Sequence, residues 1–169
     1  PSFINELDRG DIVFIIDDHH EFFYSKMSES QKTSTLAKGI RNLSDKLSKK
    51  GIRLVFLHSL PYAFSRELQC DPENLFPQWF QLVNKTNKCK ILDKKQTILK
   101  RKTLDKTFSM LKREGAIEIV DLFDIFCPNT ECSYFGKNQT LLYRDRHFHA
   151  TVEAARLSAK RIKSIFEKN

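Results

Sequence analysis

Three side chains that could carry out proton transfer lie within five positions near the end of the sequence: Asp145, His147 and His149. A histidine accepts a proton near neutral pH because its ordinary pKa is about 6.5, and a neighbouring aspartate can fix the tautomer and orientation of the ring. These residue types are the ones that a general base acting on a hydroxyl nucleophile requires, but their spacing alone does not favour that role. The alternative is a polar loop that leads into a capped terminal helix.

A second polar cluster, Asp17, Asp18, His19 and His20, directly follows the apolar run over 11–16. Carboxylate and imidazole together suit zinc or iron. However, neighbouring residues on an extended chain point to opposite sides, so about two of the four at most could reach one ion. We therefore predict no metal site and no other cofactor, and we expect these four residues to line a substrate-binding cleft.

His58 and Ser59 place an imidazole beside a hydroxyl. Neighbours in an extended segment diverge and cannot form a hydrogen-bonded dyad, and no G-x-S-x-G elbow surrounds Ser59. The pair is predicted to be the end of a strand that leads into Pro61.

The elements that must position these side chains alternate between strand and helix. Short apolar runs at 11–16, 52–57 and 117–120 are typical of strands buried on both faces. Helical spacing of apolar residues predicts helices over about 31–50, 94–113 and 150–167. This order predicts an α/β fold with three layers, in which helices flank a mostly parallel sheet. In such sheets ligands bind beyond the carboxyl ends of the strands, which is where Asp17 to His20, His58, Asp121 and Asp124 lie.

The apolar positions predict which side of each helix faces the sheet. Gly51 and Gly115 follow the first two helices, where a left-handed residue ends a helix. The predicted inner faces are Leu36, Ile40, Leu43 and Leu47 in the first helix, Ile98, Leu104, Phe108 and Leu111 in the second, and Val152, Ala155, Leu157, Ile162 and Ile165 in the last.

Length and composition indicate one domain over residues 1–169, with 40% hydrophobic residues to form a core. The chain begins at Pro1 without a signal peptide pattern, so we expect it to be a segment of a longer protein. No run reaches the length of about 18 apolar residues that a membrane span requires. The net charge of +8 favours acidic surroundings, but the basic residues are interleaved with apolar ones as on solvated helix faces, and no nucleic-acid partner is predicted.

The four cysteines form two local pairs, Cys70 with Cys89 and Cys127 with Cys132. Neither pair has the CxxC spacing of a zinc or redox centre. Two disulfides would fit this arrangement and would indicate an oxidising compartment. The alternative is four unpaired thiols in a cytosolic protein.

Three segments carry a family resemblance. Cys127-Pro-Asn-Thr-Glu-Cys132, Leu142-Tyr143-Arg144-Asp145 and His149-Ala-Thr-Val-Glu-Ala-Ala155 together resemble the SGNH-hydrolase-like domain fused to acyltransferase-3 membrane proteins. The resemblance covers residues 10–167 and implies an SGNH- or flavodoxin-like sheet. In that family, a Cys pair and an LYRD-like segment precede a D-x-x-H-L-S-x-x-G-A motif, which supplies the catalytic Asp and His.

The sequence departs from this pattern in two places. Asp145 lies two residues before His147 and four before His149, so His149 is the better match to His-Leu-Ser and His147 is the second choice. No Gly-Asp-Ser block occurs in the chain. The run over 11–16 looks like the family's third strand, so we expect the first strands and the nucleophilic Ser to lie upstream, and we expect this chain alone to be inactive. Asp17 to His20 then occupy the place of the family's oxyanion-hole block.

The resemblance implies a domain on the periplasmic, extracytoplasmic face of a membrane O-acyltransferase. The membrane acyltransferase domain would deliver an acyl group, most simply acetyl, which a Ser-His-Asp site would transfer to cell-surface or secreted polysaccharide. The alternatives are a non-catalytic glycan-binding or scaffolding domain, and an acetyl-ester hydrolase with the same site.

Overall fold

The computed structural model describes residues 2–16, 22, 25–58, 60–61, 90–144 and 149–167. In chain order the elements are a 3-10 turn over Ser2–Glu6, β1 (Ile12–Ile16), α1 (Glu29–Ser48), β2 (Arg53–Leu57), β3 (Lys90–Asp93), α2 (Lys94–Arg113), β4 (Glu118–Val120), the single-turn α3 (Phe123–Phe126), β5 (Glu131–Ser133), a 3-10 turn over Lys137–Gln139 and α4 (Val152–Phe166). They belong to two compact units, Pro1–His58 with Arg101–Asp121, and Ser59–Lys100 with Leu122–Asn169.

The first unit contains a parallel sheet with the strand order β1-β2-β4. Val55 at the centre of β2 lies opposite Phe14 of β1 and Glu118 of β4. Each apolar run of the sequence thus forms a strand, and helices follow β1 and precede β4. The predicted α/β fold with a parallel sheet flanked by helices is confirmed.

Polar residues set the start of α1, and glycine sets the ends of α1 and α2. The Ser28 side chain accepts a hydrogen bond from the Gln31 N–H at 3.3 Å, and the Gln31 side chain accepts one from the Ser28 N–H at 3.0 Å, which forms a capping box. Gly51 and Gly115 have φ angles of 71° and 74°. Because a residue with a Cβ rarely adopts this conformation, these two glycines end the helices and direct the chain into the next strand, as predicted.

The core of the first unit lies between the sheet and the two long helices. Ile40 and Leu47 of α1 and Leu104, Phe108 and Leu111 of α2 are buried. The rings of Phe56 in β2 and Phe108 lie 5.6 Å apart. Burial of this apolar surface is the main favourable contribution to folding, at about 25 cal/mol per Å².

Two of the predicted helix faces were wrong in part. In α2, Thr97 is fully buried, whereas Ile98 is 47% exposed. In α4 the buried residues are Ala154, Ser158 and Ile165, and Val152 and Leu157 are exposed. Small and hydroxyl-bearing side chains allow close packing, so the inner face of these helices is less apolar than the pattern of large residues indicated.

The second unit contains the antiparallel pair of β3 and β5 and the terminal helix α4. Cys132 in β5 forms a disulfide with Cys127, and both residues are buried. Along the described part of the chain, no helix is long and apolar enough to cross a membrane.

Candidate functional site

The predicted catalytic segment is held by antiparallel backbone pairing on either side of it. Tyr143 forms a bridge with Ala150, the Arg144 N–H donates to the His149 carbonyl at 2.9 Å, and the Thr151 N–H donates to the Leu142 carbonyl at 3.0 Å. The pairing therefore brings His149 opposite Arg144. Only four residues join these two positions along the chain.

Thr151 fixes the start of α4 directly after this pairing. Its Oγ1 accepts a hydrogen bond from the Ala154 N–H at 3.1 Å and donates one to the Leu141 carbonyl at 2.6 Å. Thr151 is thus the N-cap of α4, in the place where the D-x-x-H-L-S pattern has Ser. His149 lies two residues before this cap and is exposed, so its imidazole is accessible to a partner that approaches from solvent.

A buried aromatic cluster packs against the same segment. Leu142 and Tyr143 are fully buried. The Tyr143 ring lies 5.3 Å from that of Phe126 and 5.5 Å from that of Tyr134, and the Leu142 N–H donates to the Tyr134 carbonyl at 2.7 Å. The backbone of the LLYR segment thus pairs with the chain before α4, while its Leu142 and Tyr143 side chains are buried in the second unit.

The remaining predicted site residues lie outside the described residues. They are the catalytic candidates Asp145 and His147, and the cleft residues Asp17, Asp18, His19 and His20. Their roles stay predictions, as does that of His149. Cys70 and Cys89 also lie outside the described residues, whereas the predicted Cys127–Cys132 disulfide is present.

A polar cluster that the sequence did not predict lies at the carboxyl ends of β2 and β4. His58 follows β2 and Asp121 follows β4, and α2 contributes Arg101 and Asp105. The Arg101 Nε lies 2.8 Å from Oδ1 of Asp105, and its Nη2 lies 2.6 Å from Oδ2 of Asp121. One guanidinium therefore joins the helix to the end of β4 through charge-assisted hydrogen bonds.

His58 takes part in this cluster from a buried position. Its side chain is 4% exposed, and its ring makes an edge contact with Phe108 at 5.0 Å between centroids. Nε2 lies 2.8 Å from Oδ1 of Asp105, but it is off the line of a well-aligned hydrogen bond, and Nδ1 has no hydrogen-bond partner among the described residues. The contact is best described as a close polar pair.

The charges and contacts of the cluster lower the pKa of Asp105. Burial by itself would raise the pKa of this carboxyl, but the His58 contact and the adjacent Arg101 guanidinium outweigh burial and hold its pKa below the ordinary value. Asp105 is therefore an anion at neutral pH. Among the described residues, no group of three or more His, Cys, Asp or Glu side chains is arranged to hold a metal ion.

The sequence carries only a weak signal for this cluster. Arg101 and Asp105 are four residues apart in a helix, which is the spacing of an ion pair, and His58 and Asp121 each follow a strand. The interpretation of His58 as a strand end was sound, but its partner is Asp105, 47 positions further along the chain, and not its neighbour Ser59.

Comparison with known families decides the identity of the domain. The family model for the SGNH domain that is fused to AT3 domains matches residues 2–164. The chain belongs to this family. No curated protein and no solved structure gives a match.

SGNH domains of this type accompany acyltransferase-3 membrane proteins, so this chain is an acyltransferase-associated SGNH domain. Its match extends over both compact units, including the sheet and the segment that contains the Cys127–Cys132 disulfide and the capped helix α4.

Proposed function

We propose that this SGNH domain acts on the extracytoplasmic face of a membrane O-acyltransferase and transfers an acyl group, most simply acetyl, to a hydroxyl of cell-surface or secreted polysaccharide. The support is the fusion of the family to AT3 domains, which would deliver the acyl donor. The observation that carries the proposal is the position of His149, exposed and held two residues before the capped helix α4.

The proposed chemistry proceeds in two steps. A serine from a Gly-Asp-Ser block outside this chain attacks the acyl carbonyl while His149 accepts the hydroxyl proton, and the protonated imidazole then returns this proton to the leaving group of the donor. A sugar hydroxyl next attacks the acyl-serine, His149 accepts its proton, and the serine is released with a proton from His149. The net result is an acyl ester on the sugar.

Asp145 is proposed to orient the imidazole. The hydrogen bond between the backbones of Arg144 and His149 supports this role, because it keeps the residue next to Asp145 opposite the proposed base. His147 is the second candidate for the base. Asp17, Asp18, His19 and His20 are proposed to line the acceptor side of the cleft.

Two other functions share parts of this site. An acetyl-ester hydrolase would use the same residues with water as the acceptor. A non-catalytic glycan-binding or scaffolding domain is favoured by two observations. Asp145 and His149 are four residues apart instead of the three of the family motif, and no Gly-Asp-Ser block is present in the chain.

The decisive experiment uses the protein extended upstream through a Gly-Asp-Ser block, assayed for cleavage of an acetyl ester and for transfer to polysaccharide. Loss of a general base costs typically 10²–10⁴-fold in rate, so we expect a loss of roughly this size for His149→Ala. The matched variant His147→Ala should retain most of the activity. Full activity of His149→Ala would assign the base to another residue. Absence of both activities in the extended protein would favour the non-catalytic alternative.

The proposed location makes a separate prediction about the other cysteine pair. Cys70 and Cys89 are expected to form a disulfide in protein isolated from its native compartment. Mass spectrometry of non-reduced peptides would detect this cross-link, and four alkylatable thiols in such material would contradict the extracytoplasmic location.

A further inference from the structure

The positive charge of the chain is concentrated on one helix. Helix α2 contains eight basic residues and one acidic residue, a net charge of +7 in a chain of +8. By contrast, α1 has the same length but contains four basic and two acidic residues. The charge therefore distinguishes α2 from an ordinary solvated helix.

The outer face of α2 combines this charge with exposed apolar side chains. We call Lys95, Ile98, Leu99, Lys102 and Lys106 the lysine strip; all five are exposed. Their spacing of three and four residues places them on one side of a single uninterrupted helix. The opposite side, which includes Thr97, Leu104 and Phe108, is buried.

The apolar members of the lysine strip are accessible to solvent. Leu99 is 69% exposed and Ile98 is 47% exposed, whereas α1 presents no large hydrophobic residue with comparable exposure. The three lysines of the strip form no ion pair with any residue that the structure describes. Within the described fold, no ion pair therefore balances the charge of these lysines, and the two branched side chains keep much of their surface in water.

We propose that the lysine strip binds the anionic surface of a lipid bilayer. Lysines near such a surface are attracted to lipid phosphates, and branched apolar side chains between them gain by entering the boundary between headgroups and acyl chains. The fusion of the family to AT3 membrane proteins places a bilayer within reach of this domain. The proposal concerns docking and does not depend on the acyl-transfer chemistry.

The exposed apolar pair is the reason to favour lipid over a soluble polyanion. An acidic glycan or a nucleic acid would use the lysines, but it would gain little from Leu99 and Ile98, since those side chains offer neither charge nor an aromatic face for stacking. A lipid surface uses both kinds of side chain. The two classes of partner therefore respond differently to a change at Leu99.

The test is flotation of the 169-residue chain with vesicles of equimolar phosphatidylglycerol and phosphatidylcholine, compared with vesicles of phosphatidylcholine alone. We expect binding to the anionic vesicles only. The triple variant Lys95→Gln, Lys102→Gln, Lys106→Gln should weaken binding by more than about tenfold. The matched control Lys38→Gln, Lys46→Gln, Lys49→Gln removes the same charge from exposed positions of α1 and of its C-cap, and it should bind nearly as well as the unchanged chain.

A second pair of variants tests the apolar contribution. Leu99→Ser should weaken vesicle binding by about threefold to tenfold, whereas Leu157→Ser, at an exposed position of α4, should not. Circular dichroism would check that each variant is folded. Equal binding of the two triple variants would overturn the proposal. Binding that is insensitive to Leu99→Ser, together with preferential binding to a soluble acidic polysaccharide, would assign the lysine strip to a polyanion and would also overturn it.

Discussion

The two histidines within the described part of the chain lie in opposite environments. His58 at the end of β2 is buried against Phe108 and contacts a carboxylate that an arginine also binds. His149 before α4 is exposed and is positioned by backbone pairing and by the Thr151 cap next to it. An imidazole that is 4% exposed cannot reach a substrate from solvent, whereas an exposed one on a fixed backbone can.

The two histidines are held in position in two different ways, by contacts between residues distant in the sequence and by contacts between residues close in the sequence. The His58 cluster depends on side chains that are distant in sequence, so its stability is a property of the packed first unit. The backbone pairing and the cap beside His149 involve only residues 141–144 and 149–154, and the rings of Phe126 and Tyr134 support Tyr143 from nearby in the chain. We expect substitutions in the first region to change the free energy of unfolding and substitutions in the second to change the proposed function more than the fold.

The largest predicted effect on stability is that of Arg101→Met. This change keeps the apolar stem but leaves Asp105 and Asp121 without their shared cation. Breaking a buried ion pair costs about 3–5 kcal/mol, and partial exposure of both carboxylates, 37% and 44%, reduces the expected loss to about 2–3 kcal/mol. Urea unfolding would measure it.

The matched control for this variant is Arg41→Met, which breaks the exposed pair with Glu114. Because both partners of that pair are in water, we expect little change in the unfolding midpoint. Similar midpoints for the Arg101 and Arg41 variants would show that the cluster at the carboxyl ends of the strands adds no stability beyond that of a surface pair.

A smaller loss is expected for Thr151→Ala beside His149. The change removes the N-cap of α4 and the hydrogen bond to the Leu141 carbonyl, which together should cost about 1–2 kcal/mol. Thr151→Ser keeps the hydroxyl and should recover most of this stability in the same unfolding experiment. If Ser were no better than Ala, the methyl group and not the cap would be the important part of Thr151.

The smallest predicted effect is the pH dependence contributed by Asp105. Its folded pKa lies below its unfolded value, so its stabilising contribution is complete above about pH 4 and is lost as the pH falls through the folded pKa. The stability difference between the unchanged chain and Asp105→Asn should therefore shrink on acidification. Unfolding midpoints measured from neutral to acidic pH would reveal this, and a constant difference would contradict the lowered pKa.

The sequence was sufficient to predict the architecture of the first unit because its signals are local. Each strand is a short β-branched run, and Gly51 and Gly115 mark where the helices end. The boundaries of α2 were predicted in full, and those of α1 and α4 to within two residues. The inner faces of α2 and α4 were harder to predict, because the buried positions hold the small side chains Thr97, Ala154 and Ser158, which allow close packing, while larger apolar neighbours are exposed.

The His58 cluster could not be predicted for a different reason. Only the four-residue spacing to Asp105 distinguishes Arg101 from the seven other basic residues of α2, and its contact with Asp121 depends on the position of β4 beside β2. The His149 segment was easier to recognise because its motif is contiguous. Its proposed chemistry, however, still depends on Asp145 and on a serine from another segment, which are tested only by the activity experiments.

The Cys127–Cys132 cross-link closes a loop with a sequence separation of only five residues. So small a ring restricts the unfolded chain little, with an entropic contribution of about 2 kcal/mol. Since both sulfur-bearing residues are fully enclosed, a reductant can reach the bond only when the surrounding segment opens. The rate at which a mild thiol reduces this bond would thus report how often the structure beside the proposed base opens.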